Sequence, residues 1–224
     1  MTRFALLLPA AGLGARMGGR KTLLALAGRP ILRHTLERFA PFRGQICQTI
    51  VVAHPADLSA IERECPGACV VAGGARRQDS VAAGLARVAP EADLVAIHDA
   101  VRPFVASAAI AAALEAAERV GAAIVATPMK PTVKRVAEGL IAATVDRHGL
   151  WCAQTPQVFR RPLLLEACAA AQREGAEVTD DAQLVERLGH PVAVVPGSDL
   201  NLKITTPEDL ALAEAILARG LLPG

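Results

Sequence analysis

The segment LLLPAAGLGARMGGRKT, residues 6–22, runs from an apolar stretch into a Gly-x-Gly turn followed by two spaced cations, Arg16 and Lys21. A strand-to-helix turn freed by Gly12 and Gly14 lets backbone amides approach a phosphate closely. Two cations added to such an amide nest suit three phosphates better than a neutralised diphosphate. A dinucleotide site needs Gly-x-Gly-x-x-Gly and an acid near the end of the second strand. Here Met17 holds the third glycine position, and the second strand ends VVAHP with no acid. A P-loop needs Gly-Lys-[Ser/Thr] after four intervening residues, whereas Arg20 separates Gly19 from Lys21 and Thr22. Taken alone, the segment reads as a tight turn with solvated charges, and other segments must decide.

Three further stretches could join it. HDAVRP (98–103) puts Asp99 at the carboxyl end of a strand candidate, the edge where parallel sheets bind ligands. One carboxylate there suits Mg²⁺, which keeps waters and takes substrate phosphates plus one or two carboxylates; read blandly, Asp99 caps a turn. GGARRQDS (73–80) follows another strand candidate at the same edge, with Asp79 and Ser80 as N-cap-like residues. NLKITTPEDL (201–210) places Lys203 in a short expected strand ahead of a proline-started helix, where a surface lysine has no structural reason to be. His98 reads as a polar residue at a strand end rather than a catalytic base. There is no Gly-x-Ser-x-Gly nucleophile elbow in the sequence.

The elements that must position these residues follow from periodicity. Strands are expected at Phe4–Pro9, Thr49–Ala53, Cys69–Ala72, Leu94–His98 and Ala123–Thr127, short and apolar as strands buried on both faces are. Helices are expected at Pro30–Phe39, Gln78–Val88 and Ser107–Val120, the last with a serine cap and Gly121 past its end. The alternation implies an α/β fold with a mostly parallel, doubly wound sheet. After Pro131, TVKRVAEGLIAATVDRHGLW (132–151) alternates around Glu-Gly as a hairpin does, and predicts a β-arm leaving the body. The chain then returns through QTPQVF, a helix from Pro162 to about Glu174, a capped helix from Thr179, a strand at Val192–Val195 and a helix after Pro207.

Composition narrows the partners. With 224 residues the chain suits one domain with an excursion. The 24 basic and 22 acidic residues create no global field for a nucleic-acid backbone, so an anion site must be a local cluster. Five cysteines, the closest pair spaced Cys-x-x-x-Cys, argue against a disulfide framework or zinc knuckle. Glycine and Arg16 interrupt the apolar run at 4–15 before it could span a bilayer, so a soluble, cytoplasmic protein without membrane contact is expected. Only four of the basic residues are lysines: Lys21, Lys130, Lys134 and Lys203.

The segments PAAGLGARM, GGARRQDSV, HDAVRP, TVKR, TVDRHGLW, QTPQVF, VTDDA and NLKITTPEDL, in this order, resemble the 2-C-methyl-D-erythritol 4-phosphate cytidylyltransferases of non-mevalonate isoprenoid synthesis, over nearly the full length. The resemblance implies a Rossmann-like nucleotidyltransferase domain over 1–224, with 131–151 as a β-arm that builds a homodimer. It also implies transfer of CMP from CTP to methylerythritol phosphate, with Mg²⁺ and loss of pyrophosphate. By carry-over, Pro9, Ala10, Ala11, Gly12 and Gly14 hold CTP, Arg16 and Lys21 grip its phosphates, and Lys203 completes the cationic cage. Gly74, Ala75 and Ser80 line the cytosine pocket. Asp99 lies near metal and substrate, the metal contact being indirect, with Arg102 and Thr155 near the methylerythritol. Thr132 and Arg147 would reach the substrate phosphate in the partner's site. The chain departs from the family pattern in its shorter GGRKT, where Pro-Lys-Gln usually ends a longer loop, and in Ala75, where an acid is common. The rivals are a cytidylyltransferase for ribitol 5-phosphate or another polyol phosphate, a nicotinamide-dependent reductase, and a non-catalytic nucleotide sensor.

Overall fold

The structure, a computed structural model, describes residues 2–12 and 20–222. Among them are strands β1 (Phe4–Ala10), β2 (Ala25–Leu26), β3 (Arg29–Pro30), β4 (Ile46–Ala53), β5 (Cys69–Ala72), β6 (Leu94–Ile97) and β7 (Ala122–Pro128). The chain continues with β8 (Val133–Ala137), β9 (Leu140–Val145), β10 (Trp151–Arg160) and β11 (Ala193–Pro196). The helices are α1 (Ile31–Glu37), α2 (Leu58–Glu64), α3 (Arg77–Leu85), α4 (Ser107–Val120), α5 (Arg161–Glu174), α6 (Ala182–Arg187) and α7 (Pro207–Ala218).

Seven strands form the central sheet in the order β11-β7-β10-β6-β1-β4-β5. β6, β1, β4 and β5 are parallel, as are β11 and β7, while β10 runs antiparallel between β6 and β7. The period-two alternation of β1 divides the core: Phe4, Leu6 and Leu8 face the layer of α1, α2 and α4, and Ala5 and Leu7 face that of α3, α5 and α6. β4 divides likewise, with Val51 and Ala53 on one face and Ile50 and Val52 on the other. A third cluster packs α7, through Ala213 and Ile216, against Leu26, Val101 and Phe104. It seats the segment before α7 beside the turn after β6.

Apart from the short strand expected around Lys203, the expected strands and the hairpin are present, and several boundaries differ for local reasons. β10 and α2 are not among the expected elements: WCAQTPQVFR mixes buried glutamines with apolar residues, and its pairing with β7 shifts register between Ala153 and Gln157. Ser107 does not cap α4; the N-cap is Ala106, with no side-chain bond, although Gly121 ends the helix at φ +104° as expected. The helix expected from Thr179 starts at Ala182, and Asp180 Oδ1 accepts the Gln183 N–H at 3.1 Å. Lys203 lies in no strand; its segment is irregular and joins the body where Ile204 N–H donates to the Val101 carbonyl, 3.0 Å.

β8 and β9 pair with each other and with no other described strand. Their turn has Glu138 at φ +50° and Gly139 at +79°, the left-handed conformation that a two-residue hairpin turn demands. Val136, Leu140 and Ile141 stand at 57%, 76% and 66% exposure on this arm. Among the described residues no helix is long and apolar enough to cross a membrane.

Phe159, fully buried, is the large apolar side chain that β10 contributes to the α5 face of the core. Phe159→Ala is expected to cost about 3–5 kcal/mol of unfolding free energy in urea titrations; a loss under about 1 kcal/mol would contradict this packing.

Candidate active site

A cleft of about 330 Å³ opens at the carboxyl ends of β1, β4, β5 and β6. Pro9, Ala10, Ala11 and Gly12 form one wall, and Gly74, Ala75 and Ser80 another. The walls touch because glycine permits it. A Cβ on Gly73 would lie 2.4 Å from that of Ala11, and one on Gly74 2.5 Å from that of Asp79. Ser80 Oγ accepts the Gly74 N–H at 3.1 Å and donates to the Arg76 carbonyl at 3.2 Å, fixing the turn into α3. Asp79 and Ser80 are therefore residues of the first turn of α3 rather than its N-cap, which is Arg76; Asp79 Oδ2 accepts the Arg76 N–H at 3.2 Å. The result is a slot with small residues, Ala10, Ala11, Gly12, Gly74 and Ala75, along two of its walls.

Asp99, 6% exposed, stands at the floor of this cleft just past β6. Lys203 Nζ and Arg102 Nε each approach its Oδ2 at 3.0 Å, and Arg77 Nε lies 3.9 Å from Oδ1. Burial works against its charge, but Lys203, Arg102 and Arg77 outweigh burial and hold the carboxyl well below the usual carboxylate range. Arg77 is fixed in turn by a bidentate pair to Asp181, Nη1–Oδ1 3.0 Å and Nη2–Oδ2 2.6 Å. Burial would lower the Arg77 pKa, yet Asp181 and then Asp99 raise it.

A polar network seats Lys203. Asn201, 2% exposed, donates from Nδ2 to Gln154 Oε1 at 3.0 Å and to the Thr155 carbonyl at 2.9 Å. Gln154 Nε2 donates to the Ser198 carbonyl, 2.9 Å, and Arg102 Nη1 to the Asn201 carbonyl, 2.7 Å. These bonds tie residues 198–203 to β10 and to the turn after β6. The loop carrying Lys203 is thereby positioned without regular structure.

Behind Asp99, Thr155 Oγ1 accepts the Asp99 N–H and meets His98 Nδ1, both at 3.0 Å. His98 Nε2 lies 3.0 Å from the Arg102 carbonyl, which can only accept, so Nε2 carries the proton and Nδ1 accepts from Thr155. Burial lowers the His98 pKa to about 4, and the ring stays neutral, packed edge-on against Phe39. This makes His98 the structural residue the sequence suggests.

The expected site residues divide accordingly. Pro9, Ala10, Ala11, Gly12, Lys21, Gly74, Ala75, Ser80, Asp99 and Lys203 all line the cleft. Gly14 and Arg16 lie outside the described residues. Arg20 turns to Asp57, Nε–Oδ1 2.8 Å, whereas a Cβ on Gly12 would lie 3.9 Å from Lys21 Nζ, so Lys21 is the cation of GGRKT that faces the loop. Thr155 does not line the cleft; its hydroxyl is committed to the backbone of Asp99. Arg102 likewise grips Asp99 and the Asn201 carbonyl from behind. Thr132 and Arg147 are exposed at the base of the arm, where Arg147 Nη1 donates to the Lys130 carbonyl, and neither lines the cleft of its own chain. Arg77, Asp181, Gln154 and Asn201 are not among the expected site residues. Their signal is faint: polar residues inside otherwise apolar or loop-like segments, with partners far away in sequence.

This geometry, a glycine-walled slot ending in cations gathered on one carboxylate, is that of an anion site at a sheet edge. The profile of the family described as 2-C-methyl-D-erythritol 4-phosphate cytidylyltransferase matches residues 4–219. The chain belongs to this family. Relatives so named include that of Syntrophotalea carbinolica, 47% identical with 94% of each chain covered, and that of Solibacter usitatus, 44% identical with 96% of each covered. Among solved structures, the 2-C-methyl-D-erythritol 4-phosphate cytidylyltransferase of Thermus thermophilus is 41% identical, with TM-score 0.83 over 98% of this chain and 100% of that one. The 4-diphosphocytidyl-2C-methyl-D-erythritol synthase of Anaerococcus prevotii superposes with TM-score 0.86 at 31% identity, over 97% and 99%. The mixed sheet is thus that of the cytidylyltransferase family.

The neutral His98 generates a pH signature. Its pKa is lowered on folding from 6.5 to about 4, so the unfolded chain binds more protons across that window. Its contribution is present above pH 6.5 and falls away as pH drops toward 4. Urea titrations at pH 7 and pH 4 are expected to show the native chain losing on the order of 3 kcal/mol more than His98→Gln. Equal losses would contradict a buried neutral imidazole.

Proposed function

We propose that the chain transfers CMP from CTP to 2-C-methyl-D-erythritol 4-phosphate, giving 4-diphosphocytidyl-2-C-methyl-D-erythritol and pyrophosphate, a step of non-mevalonate isoprenoid synthesis. The observation that carries the reading is the meeting of Lys21, Lys203 and Asp99 in one glycine-walled cleft, in a member of this family. The same membership favours methylerythritol phosphate over ribitol 5-phosphate as acceptor.

In this reaction a phosphate oxygen attacks the α-phosphorus of CTP. Both reactants are anions and the attacking oxygen is already deprotonated at neutral pH, so no strong general base is required. Catalysis consists of holding like charges in line and stabilising charge on the α-phosphoryl oxygens and the leaving pyrophosphate. Lys21 and Lys203 act as mobile point charges toward those oxygens. Arg16 joins them from the sequence. Gly74, Ala75 and Ser80 would take the cytosine, since small residues on these walls leave room for a base held by backbone groups.

Mg²⁺ fits the residues present. Asp99 offers one carboxylate, and among the described residues no group of three or more acids, histidines or cysteines could enclose a metal. Asp99, directly or through water, would contribute one position and the nucleotide's phosphates most of the others. When bound, the ion would neutralise triphosphate charge and polarise the scissile phosphoryl group.

The arm supports a homodimer in this reading. Val136, Leu140 and Ile141 expose apolar surface that a second copy would cover. Arg147 and Thr132 would then serve the acceptor phosphate in the partner's cleft, with the arginine binding it bidentately. The five free cysteines suit a reducing, cytoplasmic setting, and the net charge of +2 suits small anions held locally rather than nucleic acid.

Pyrophosphate release should require CTP, Mg²⁺ and methylerythritol phosphate together. Release with ribitol 5-phosphate alone would move the acceptor assignment, and release with no pair would contradict the reading. Lys203→Ala and Lys21→Ala are each expected to lower kcat about 10²–10³-fold while thermal melting stays cooperative. Unaltered turnover in either variant removes that lysine from the scheme. Arg147→Ala should raise KM for the acceptor about tenfold or more and leave CTP affinity intact. A loss confined to CTP would show the arm to be misassigned.

A further inference from the structure

Asp99 Oδ2 takes the short contacts of both Lys203 and Arg102, while Oδ1 accepts no hydrogen bond among the described residues. The cation on the Oδ1 side is Arg77, stopped at 3.9 Å. Its guanidinium does not close that gap because both Nη atoms are forked onto Asp181, leaving only Nε–H on the Asp99 side. Asp181 is itself held fast: it is 1% exposed, and its backbone N–H and that of Ala182 both donate to Gln157 Oε1 on β10, each at 3.0 Å.

Resting on the reading of the cleft as a site for CTP and Mg²⁺, we propose that Asp181 is a positioning residue which holds Arg77 back from Asp99, so that Oδ1 stays open for the metal–nucleotide complex. Gln157 anchors Asp181, Asp181 aims Arg77, and Arg77 supplies positive charge near Asp99 without capping its remaining oxygen. An arginine suits this task because its planar fork can be clamped at one edge while the other faces a second group; a lysine has no such fork. Released from Asp181, Arg77 would close the gap to hydrogen-bond distance and occupy the oxygen that the metal or its water needs.

The test is calorimetric measurement of CTP affinity with and without Mg²⁺, on the full chain, for the native protein, Asp181→Asn and the double variant Asp181→Asn/Arg77→Gln. Asp181→Asn keeps the side chain's shape and weakens its hold on Arg77. It is expected to reduce CTP affinity about 10–100-fold in Mg²⁺ and to leave metal-free affinity unchanged or higher, because a local negative charge has gone. The double variant, with no guanidinium left to close on Asp99, is expected to regain most of the increment that Mg²⁺ gives. Equal losses with and without Mg²⁺, or no recovery in the double variant, would overturn the proposal and assign Asp181 a purely structural part. Native protein that binds CTP no better with Mg²⁺ than without would instead contradict the metal–nucleotide reading itself, and this inference with it.

Discussion

A carboxylate buried at a sheet edge must be compensated, and the compensation of Asp99 organises the whole site. An isolated charge in such a place costs several kcal/mol after relaxation, enough to consume much of a domain's stability. Asp99 is compensated from three directions: Arg102 from its own turn, Arg77 from the start of α3, and Lys203 from the segment ahead of α7. Each cation draws its element to the same point. Because Arg77 is also bound to Asp181, α6 is included, and because Arg102 holds the Asn201 carbonyl, so is the loop from β11.

The chemistry gains from the same arrangement. Bringing one phosphate to another is opposed by their like charges, and water would have to reorganise to relieve this. Cations already fixed by the fold supply the field without reorganising, which is the physical content of electrostatic preorganisation. The two lysines differ usefully from the arginines here. Arg77 and Arg102 are committed by their forked guanidinium groups to protein partners, whereas Lys203, with its side chain 37% exposed and held on Asp99 by a single point charge, lines the cleft itself.

Much of this was legible in the sequence where one residue type carries one constraint. The apolar run FALLLP announced a strand buried on both faces, Glu138-Gly139 a tight hairpin turn, and Pro207 the start of a helix, all of which the structure contains. The glycine walls and the lysines of the cleft were legible for the same reason. What was hidden depends on partners distant along the chain. β10 was obscured because its glutamines are buried to tie loops together, Gln154 to Ser198 and Gln157 to the start of α6. Thr155 and Arg102 were expected beside the acceptor, and their polar groups are turned to Asp99 rather than into the cleft. Lys203 was expected in a short strand ahead of the Pro207 helix, yet side-chain bonds from Asn201 and Gln154 replace strand pairing there.

In the proposed reaction Asp99, Lys203 and Lys21 form the seat of the CTP triphosphate. A crystal structure of the chain with Mg²⁺ and a non-hydrolysable CTP analogue tests it most directly. The expected result has the cytosine in the slot beside Gly74 and Ser80, with α-phosphate oxygens within hydrogen-bonding reach of Lys21 and Lys203. A nucleotide bound elsewhere, or seated in the cleft with its phosphates directed away from both lysines, would contradict it.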